Sequence, residues 1–352
     1  MQFPYFLSNR KIAFPLITLT ACILGTGIII LISSRSAYAE QRRGELLALA
    51  SVQEVPEPNP AEMIMRTLAM AYPERIGQPE IRRQGDTSSA GEDWAFLVGG
   101  KWFYFAEGRL LPDERLNRAA EYRAMGFYST YPEELPSWES TAEQRTARTR
   151  RMEEARSQQN ETPRTGTMEA QPVRLRRPLY FNEALWGITN RNEAWAQQVD
   201  ISFLGHSLTI HSGISNKMRR INTIIMNESR TNPAVRQWVN SLGTVAGWNW
   251  RNVASSGNRS AHAYGIAIDL LPRNLEGKAT YWLWSSRYNT QWWNIPYSGR
   301  YHPPDEVIKT FESFGFIWGG KWGNFDTMHF EYRPDAFLFS NIPMANFHAE
   351  LP

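Results

Sequence analysis

Two short stretches about sixty positions apart constrain this chain more than anything else in it. The first, Gly247 to Leu271, reads GWNWRNVASSGNRSAHAYGIAIDLL and contains Ser260-x-His262-x-x-Gly265-x-Ala267-x-Asp269. The second runs from Trp318-Gly-Gly-Lys-Trp322 to Asp326-x-x-His329-Phe330-Glu331. Apolar alternation from Ile266 to Leu270 predicts a strand carrying Asp269. Gly265 allows a tight turn just before it, so His262 and Asp269 can face one point despite their separation. A following strand places His329, Glu331 and Arg333 on one face.

Two imidazoles and a carboxylate on a common point are the donor set of a catalytic zinc. Such an ion takes three protein ligands and keeps one position for water. His262, Asp269 and His329 supply the three. Asp326, in a loop three residues before His329, suits a general base acting on the zinc-bound water. Glu331 reads either as a partner orienting a ligand or as half of an ion pair. Ser260 either contacts substrate or caps a turn, and Trp318 and Trp322 either wall a substrate or pack. His206, His211, His302 and His348 lack such company and read as structural.

These motifs resemble the M15 family of zinc peptidases. That family includes D-alanyl-D-alanine carboxypeptidases of the VanY type and phage L-alanyl-D-glutamate endolysins. The S-x-H-x-x-G-x-A-x-D element, the W-G-G-x-W run and the H-F-E end match the family pattern, and the resemblance covers Ser207 to Tyr332. It implies zinc on His262, Asp269 and His329, with Asp326 as the base. It also implies a carbonyl-steadying role for Arg251, eleven residues before His262, which otherwise reads as pairing with a surface acid. The implied substrate is a peptidoglycan stem peptide, with D-Ala-D-Ala and L-Ala-D-Glu bonds both compatible. Ser260 and Trp318 are the expected substrate contacts. The rival reading is a non-catalytic, zinc-stabilised module that binds peptidoglycan or scaffolds the envelope.

The rest of the chain reads as an address and a second unit. Arg10 and Lys11 precede 21 uncharged residues, Ile12 to Ile32, enough to span a hydrocarbon core. Residues 1–39 are therefore expected to be a signal peptide or inner-membrane anchor, placing the bulk in the periplasm or cell envelope. Ala37-Tyr38-Ala39 fits a cleavage site and Leu19-Thr20-Ala21-Cys22 a lipobox. A polar, Pro-rich stalk follows at 40–60, then a small aromatic-rich α+β domain at 61–138 and a charged linker at 139–177. Residues 178–352 hold the peptidase-like domain. In the second unit, Ala61 to Ala71 predicts a helix, Trp94 to Phe105 a hairpin about Gly99-Gly100, and Asp113 a helix cap. Further on, helices are predicted at Phe181 to Gln197, Ser215 to Asn227 and Pro233 to Leu242. A strand pair is predicted from Val199 to His211, turning at Gly205. The fold class expected is α+β, a small antiparallel sheet with flanking helices and a zinc site.

Charge narrows the partners. Of 38 basic residues, three (Arg10, Lys11 and Arg35) precede residue 40, leaving 35 against 35 acids in the body. A neutral body lacks the footprint of a nucleic-acid binder. One Cys rules out a disulfide framework. Fourteen Trp in a 42% hydrophobic chain rule out disorder throughout.

Overall fold

The structure, a computed structural model, describes residues 59–83, 91–106, 108–122, 131–132, 143, 146, 149–150, 179–253 and 258–340. All of these belong to one compact unit, Gln53–Pro352. The N-terminal apolar segment, the stalk up to residue 58 and most of the charged linker lie outside the described residues. Among the described residues no helix is long and apolar enough to cross a membrane.

Helix α1 (Pro60–Ala71) starts where expected. The Asn59 side chain accepts from Ala61 N–H, and proline occupies the first turn, where its missing N–H costs nothing. Strands β1 (Glu80–Arg83), β2 (Glu92–Val98), β3 (Lys101–Tyr104) and β4 (Leu111–Pro112) form an antiparallel sheet in that order. The β2–β3 connection is the two-glycine turn read from the sequence, with φ of 56° at Gly99 and 77° at Gly100. Asp113 is not a helix cap. Pro112 takes that place and Asp113 opens the first turn of a 3₁₀ helix, Asp113–Glu121, where its charge meets the positive helix end.

Phe181 to Gln197, expected as one helix, is two: α2 (Tyr180–Trp186) and α3 (Arg191–Ala196). Gly187 ends α2 in the left-handed region, φ 66°, and Asn190 caps α3 by accepting from Asn192 and Glu193 N–H groups. Two strong local caps outweigh the helical periodicity that runs across them. Strands β5 (Gln198–Phe203) and β6 (His206–His211) form the expected hairpin. Helix α4 (Ser212–Thr231) is longer than its apolar stripe suggested, because the His211 ring caps it by accepting from Gly213 N–H. Helix α5 (Pro233–Ser241) follows after the Asn232 cap.

A second antiparallel sheet carries the site. Its order is β7 (Leu242–Ala246), β8 (Ala267–Pro272), β10 (His329–Tyr332), β9 (Phe316–Trp318). Helix α8 (Asp305–Ser313) seals one face, with the Phe311 ring stacked on Phe330 at 4.1 Å. Two short helices complete the described elements used below: α6 (Ala261–Tyr264) before β8 and α7 (Trp282–Ser285) after it. Helix α9 (Pro334–Ser340) follows β10. One apolar core joins Ile64, Met65 and Leu68 of α1 and Phe96 and Phe103 of the first sheet to Met218 and Ile221 of α4 and to Phe330. Each such side chain contributes about 1.5–3 kcal/mol through burial. The fold is α+β, with small antiparallel sheets flanked by helices.

Candidate metal centre

Strand register brings two of the three predicted ligands together. In the β8–β10 pair His329 lies directly opposite Asp269, so both side chains leave the same face. His262 arrives from α6. Ser260 caps that helix, its hydroxyl accepting from His262 N–H at 3.3 Å. Gly265 ends it at φ 73°, its N–H bonded back to the carbonyls of Ala261 and His262. A Cβ at Gly265 would run into the Gln198 side chain and lie 2.7 Å from His211 N. The turn between the first two ligands is therefore open to glycine alone.

The donor atoms form a nearly equilateral triangle. His262 Nε2 is 3.2 Å from Asp269 Oδ1 and 3.2 Å from His329 Nδ1, and His329 Nδ1 is 3.0 Å from Asp269 Oδ1. Ligands bonded tetrahedrally to one zinc at about 2.0–2.1 Å would be about 3.3 Å apart. His262 Nδ1 faces the Gly247 carbonyl at 2.6 Å. A carbonyl only accepts, so the proton sits on Nδ1 and the Nε2 lone pair points at the triangle's centre. That lone pair and the Asp269 carboxylate are both acceptors, and closing them to 3.2 Å calls for positive charge between or beside them. Burial alone would raise the Asp269 carboxyl, but the two imidazoles beside it hold it well below the usual range. Burial opposes the charged form of His329, yet Asp269 and Glu331 pull its imidazolium up to about 10. These three residues fit zinc.

An outer chain of contacts leads away from His329. Glu331 Oε2 lies 3.4 Å from His329 Nε2, and its other oxygen lies 3.6 Å from Arg333 Nη1. Glu331 is drawn down to about 2: burial opposes its charge, and the His329 hydrogen bond and Arg333 outweigh burial. Arg333 donates to Asp335 from Nε at 2.9 Å and from Nη2 at 2.8 Å. Asp335 also accepts from the Tyr72 hydroxyl at 2.7 Å. The chain ends just beyond α1.

Asp326 sits in a loop fixed on several sides. Its N–H donates to Gly319 O at 3.0 Å, its carbonyl accepts from His329 N at 3.2 Å, and it pairs across an isolated bridge with Tyr281. Its Oδ1 is buried with no hydrogen-bond partner among the described residues. Burial pushes this carboxyl up to about 7, with His329 opposing and Asp269 adding. Arg251 is exposed, and its charge reaches both Asp326 and Tyr281. Sequence reasoning missed Tyr281; its only signal was its place at the head of the aromatic run Tyr281-Trp-Leu-Trp284.

The two expected substrate contacts lie elsewhere. Ser260 is buried and spends its hydroxyl as the α6 cap. Trp318 is wholly buried and donates from Nε1 to Thr327 O at 2.8 Å, bracing the loop that holds Asp326. Half-buried Trp322 is the one of the pair beside the site, its ring 5.4 Å from that of His329. The buried Lys321–Glu312 pair, 2.6 Å apart, and the Tyr131 hydroxyl lie beneath the same loop. His211 and His302 have structural contacts, as a helix cap and as a ring stacked on Tyr297. His348 lies outside the described residues.

Comparison with known families agrees with this geometry. Residues 254–332 match the family described as D-alanyl-D-alanine carboxypeptidase, of the M15 peptidases. That span contains His262, Asp269, Asp326, His329 and Glu331. Residues 64–127 match a family described as a domain of unknown function (DUF8518). No curated protein and no solved structure matches the chain.

Proposed function

We propose that this chain hydrolyses stem peptides of peptidoglycan, in the manner of a D-alanyl-D-alanine carboxypeptidase, as the family match over residues 254–332 suggests. The observation that carries the reading is Asp326 Oδ1, a buried carboxylate oxygen with no hydrogen-bond partner among the described residues, beside the His262–Asp269–His329 cluster. The Met328 backbone N–H serves this carboxyl, and an oxygen left without a donor at this depth is unusual for a structural acid.

Zinc held by His262, Asp269 and His329 would supply Lewis-acid polarisation of the carbonyl and acidification of water toward neutrality. Asp326 takes the proton from the attacking water and returns it to the leaving amine, a transfer suited to a carboxyl whose pKa lies near neutrality. Arg251, on the open side, steadies the carbonyl oxygen as charge builds on it; removing one such donor typically costs about 100- to 1,000-fold in rate. Glu331 and the Gly247 carbonyl keep the two imidazoles in the tautomers that direct lone pairs inward. The basic flank and apolar segment at residues 10–32 support an envelope location for this activity.

Asp326→Ala should hydrolyse a stem pentapeptide at less than a thousandth of the wild-type rate while binding one equivalent of zinc. Wild-type turnover from this variant would remove Asp326 as the base. Zinc binding with no turnover in the wild-type protein would favour the non-catalytic scaffold.

A further inference from the structure

Against α6 lies an aromatic surface that the hydrolytic reading does not use. Trp195 on α3 is 61% exposed, although its neighbour Ala194 is fully buried. Its ring packs on Trp248 at 5.3 Å, tilted by 55°. Trp248 is not free to turn, since its indole N–H donates to Ala263 O of α6 at 3.2 Å and its backbone N–H to Thr209 O at 2.7 Å. Together with Arg191 and Asn192 the two indoles line an open pocket of about 370 Å³. The side chains of Arg191 and Asn192 make no hydrogen bond to a described residue; Asn190, not Asn192, provides the α3 cap. A pinned indole, Trp248, beside the exposed indole of Trp195, with planar, unused donors at the rim, suits a ligand that is apolar on one face and rich in hydroxyl and amide oxygens at its edge.

The pocket adjoins the site. Gly247, whose carbonyl orients His262, immediately precedes Trp248, and Arg251 follows three residues later. Three residues of backbone span at most about 10 Å. A ligand seated on the indoles can therefore be joined to a peptide at Arg251 by a few residues.

We propose that Trp195, Trp248, Arg191 and Asn192 form a saccharide subsite that takes an N-acetylated amino sugar of the glycan strand to which the stem peptide is attached. This inference rests on the proposed hydrolytic function, because the glycan is the part of that substrate left over once the peptide occupies the cluster. Pyranose C–H groups cover the two indoles, and Arg191 and Asn192 donate to the acetamide carbonyl and ring hydroxyls.

The test uses the full-length, zinc-loaded chain and its Trp195→Ala variant. Triacetylchitotriose should quench or shift tryptophan fluorescence saturably in the wild type, and the variant should bind it at least tenfold more weakly. In hydrolysis, the variant should keep kcat/KM on a sugar-free pentapeptide within twofold of wild type. On the disaccharide-pentapeptide it should lose about tenfold, through KM. Equal loss on both substrates would overturn the subsite in favour of a peptide-binding or structural role for Trp195. Equal activity on both, or no fluorescence response in the wild type, would also overturn it. If the wild type cleaves neither substrate, the hydrolytic reading fails, and the chitotriose titration still decides whether sugar binds.

Discussion

His211 couples the stability of this fold to pH, by an amount that can be worked out. The ring is 2% exposed, accepts from Gly213 N–H at 2.9 Å through Nδ1, and lies with Nε2 3.2 Å from Trp186 O. The neutral ring satisfies both contacts, whereas a proton on Nδ1 would remove the helix cap. Burial, helped by the Arg75 charge and opposed by the Trp186 hydrogen bond, lowers its pKa from 6.5 to about 4. A depressed pKa means the unfolded chain takes up the proton first as pH falls. The contribution is whole above pH 6.5 and drains away as pH drops toward the folded value. With those two values, about 2 kcal/mol is lost between pH 7.5 and 5.0, rising to about 3 kcal/mol below pH 4. His211→Asn keeps an acceptor for Gly213 but has no proton to gain. Urea unfolding at both pH values, with chelator present throughout, should show the wild type losing about 2 kcal/mol more than the variant. Equal losses in the two proteins would refute the reasoning.

Three further changes test other parts of the structure. Gly265→Ala should destabilise by about 2 kcal/mol or more, from the left-handed backbone and the crowding of Gln198; an effect under about 0.5 kcal/mol in denaturant melts would show that the turn tolerates a Cβ. Glu331→Gln should weaken zinc binding about 10- to 100-fold in a chelator competition while leaving the fold intact, and unchanged affinity would remove Glu331 from the support of His329. Lys321→Met leaves the Glu312 carboxylate buried without its cation and should cost about 3–5 kcal/mol. Adding Glu312→Leu should recover much of that loss, and no recovery would place the cost elsewhere.

How much was legible in the sequence depended on the range of the interaction. Gly265 followed by alternating residues described the α6–β8 turn and the strand under Asp269 correctly, because both are set by a few adjacent residues. The Gly99-Gly100 hairpin was legible for the same reason. The break between α2 and α3 was also written locally, in Gly187 and Asn190, but the helical pattern across it masked the two caps. For Ser260 and Trp318 the sequence leaves substrate contact open beside capping and packing, because burial, which distinguishes them, is set by distant parts of the chain. Tyr281 shares no motif with Asp326 and meets it only across a bridge between distant segments. The Tyr72–Asp335 bond joins positions 263 apart, a separation at which no spacing rule operates.

That last bond bears on how the protein can be divided. The contacts outward from His329 finish on a tyrosine in the segment matched to a domain of unknown function, and the apolar interior continues into the same segment. Cutting the chain at residue 177 would strip Asp335 of a donor and open the seats of Ile64, Met65 and Leu68 to water. The portion matched at residues 254–332 thus shares its core with the segment matched at 64–127. A fragment lacking the first 177 residues should therefore give a less stable fold and a less well braced His329 than the full chain.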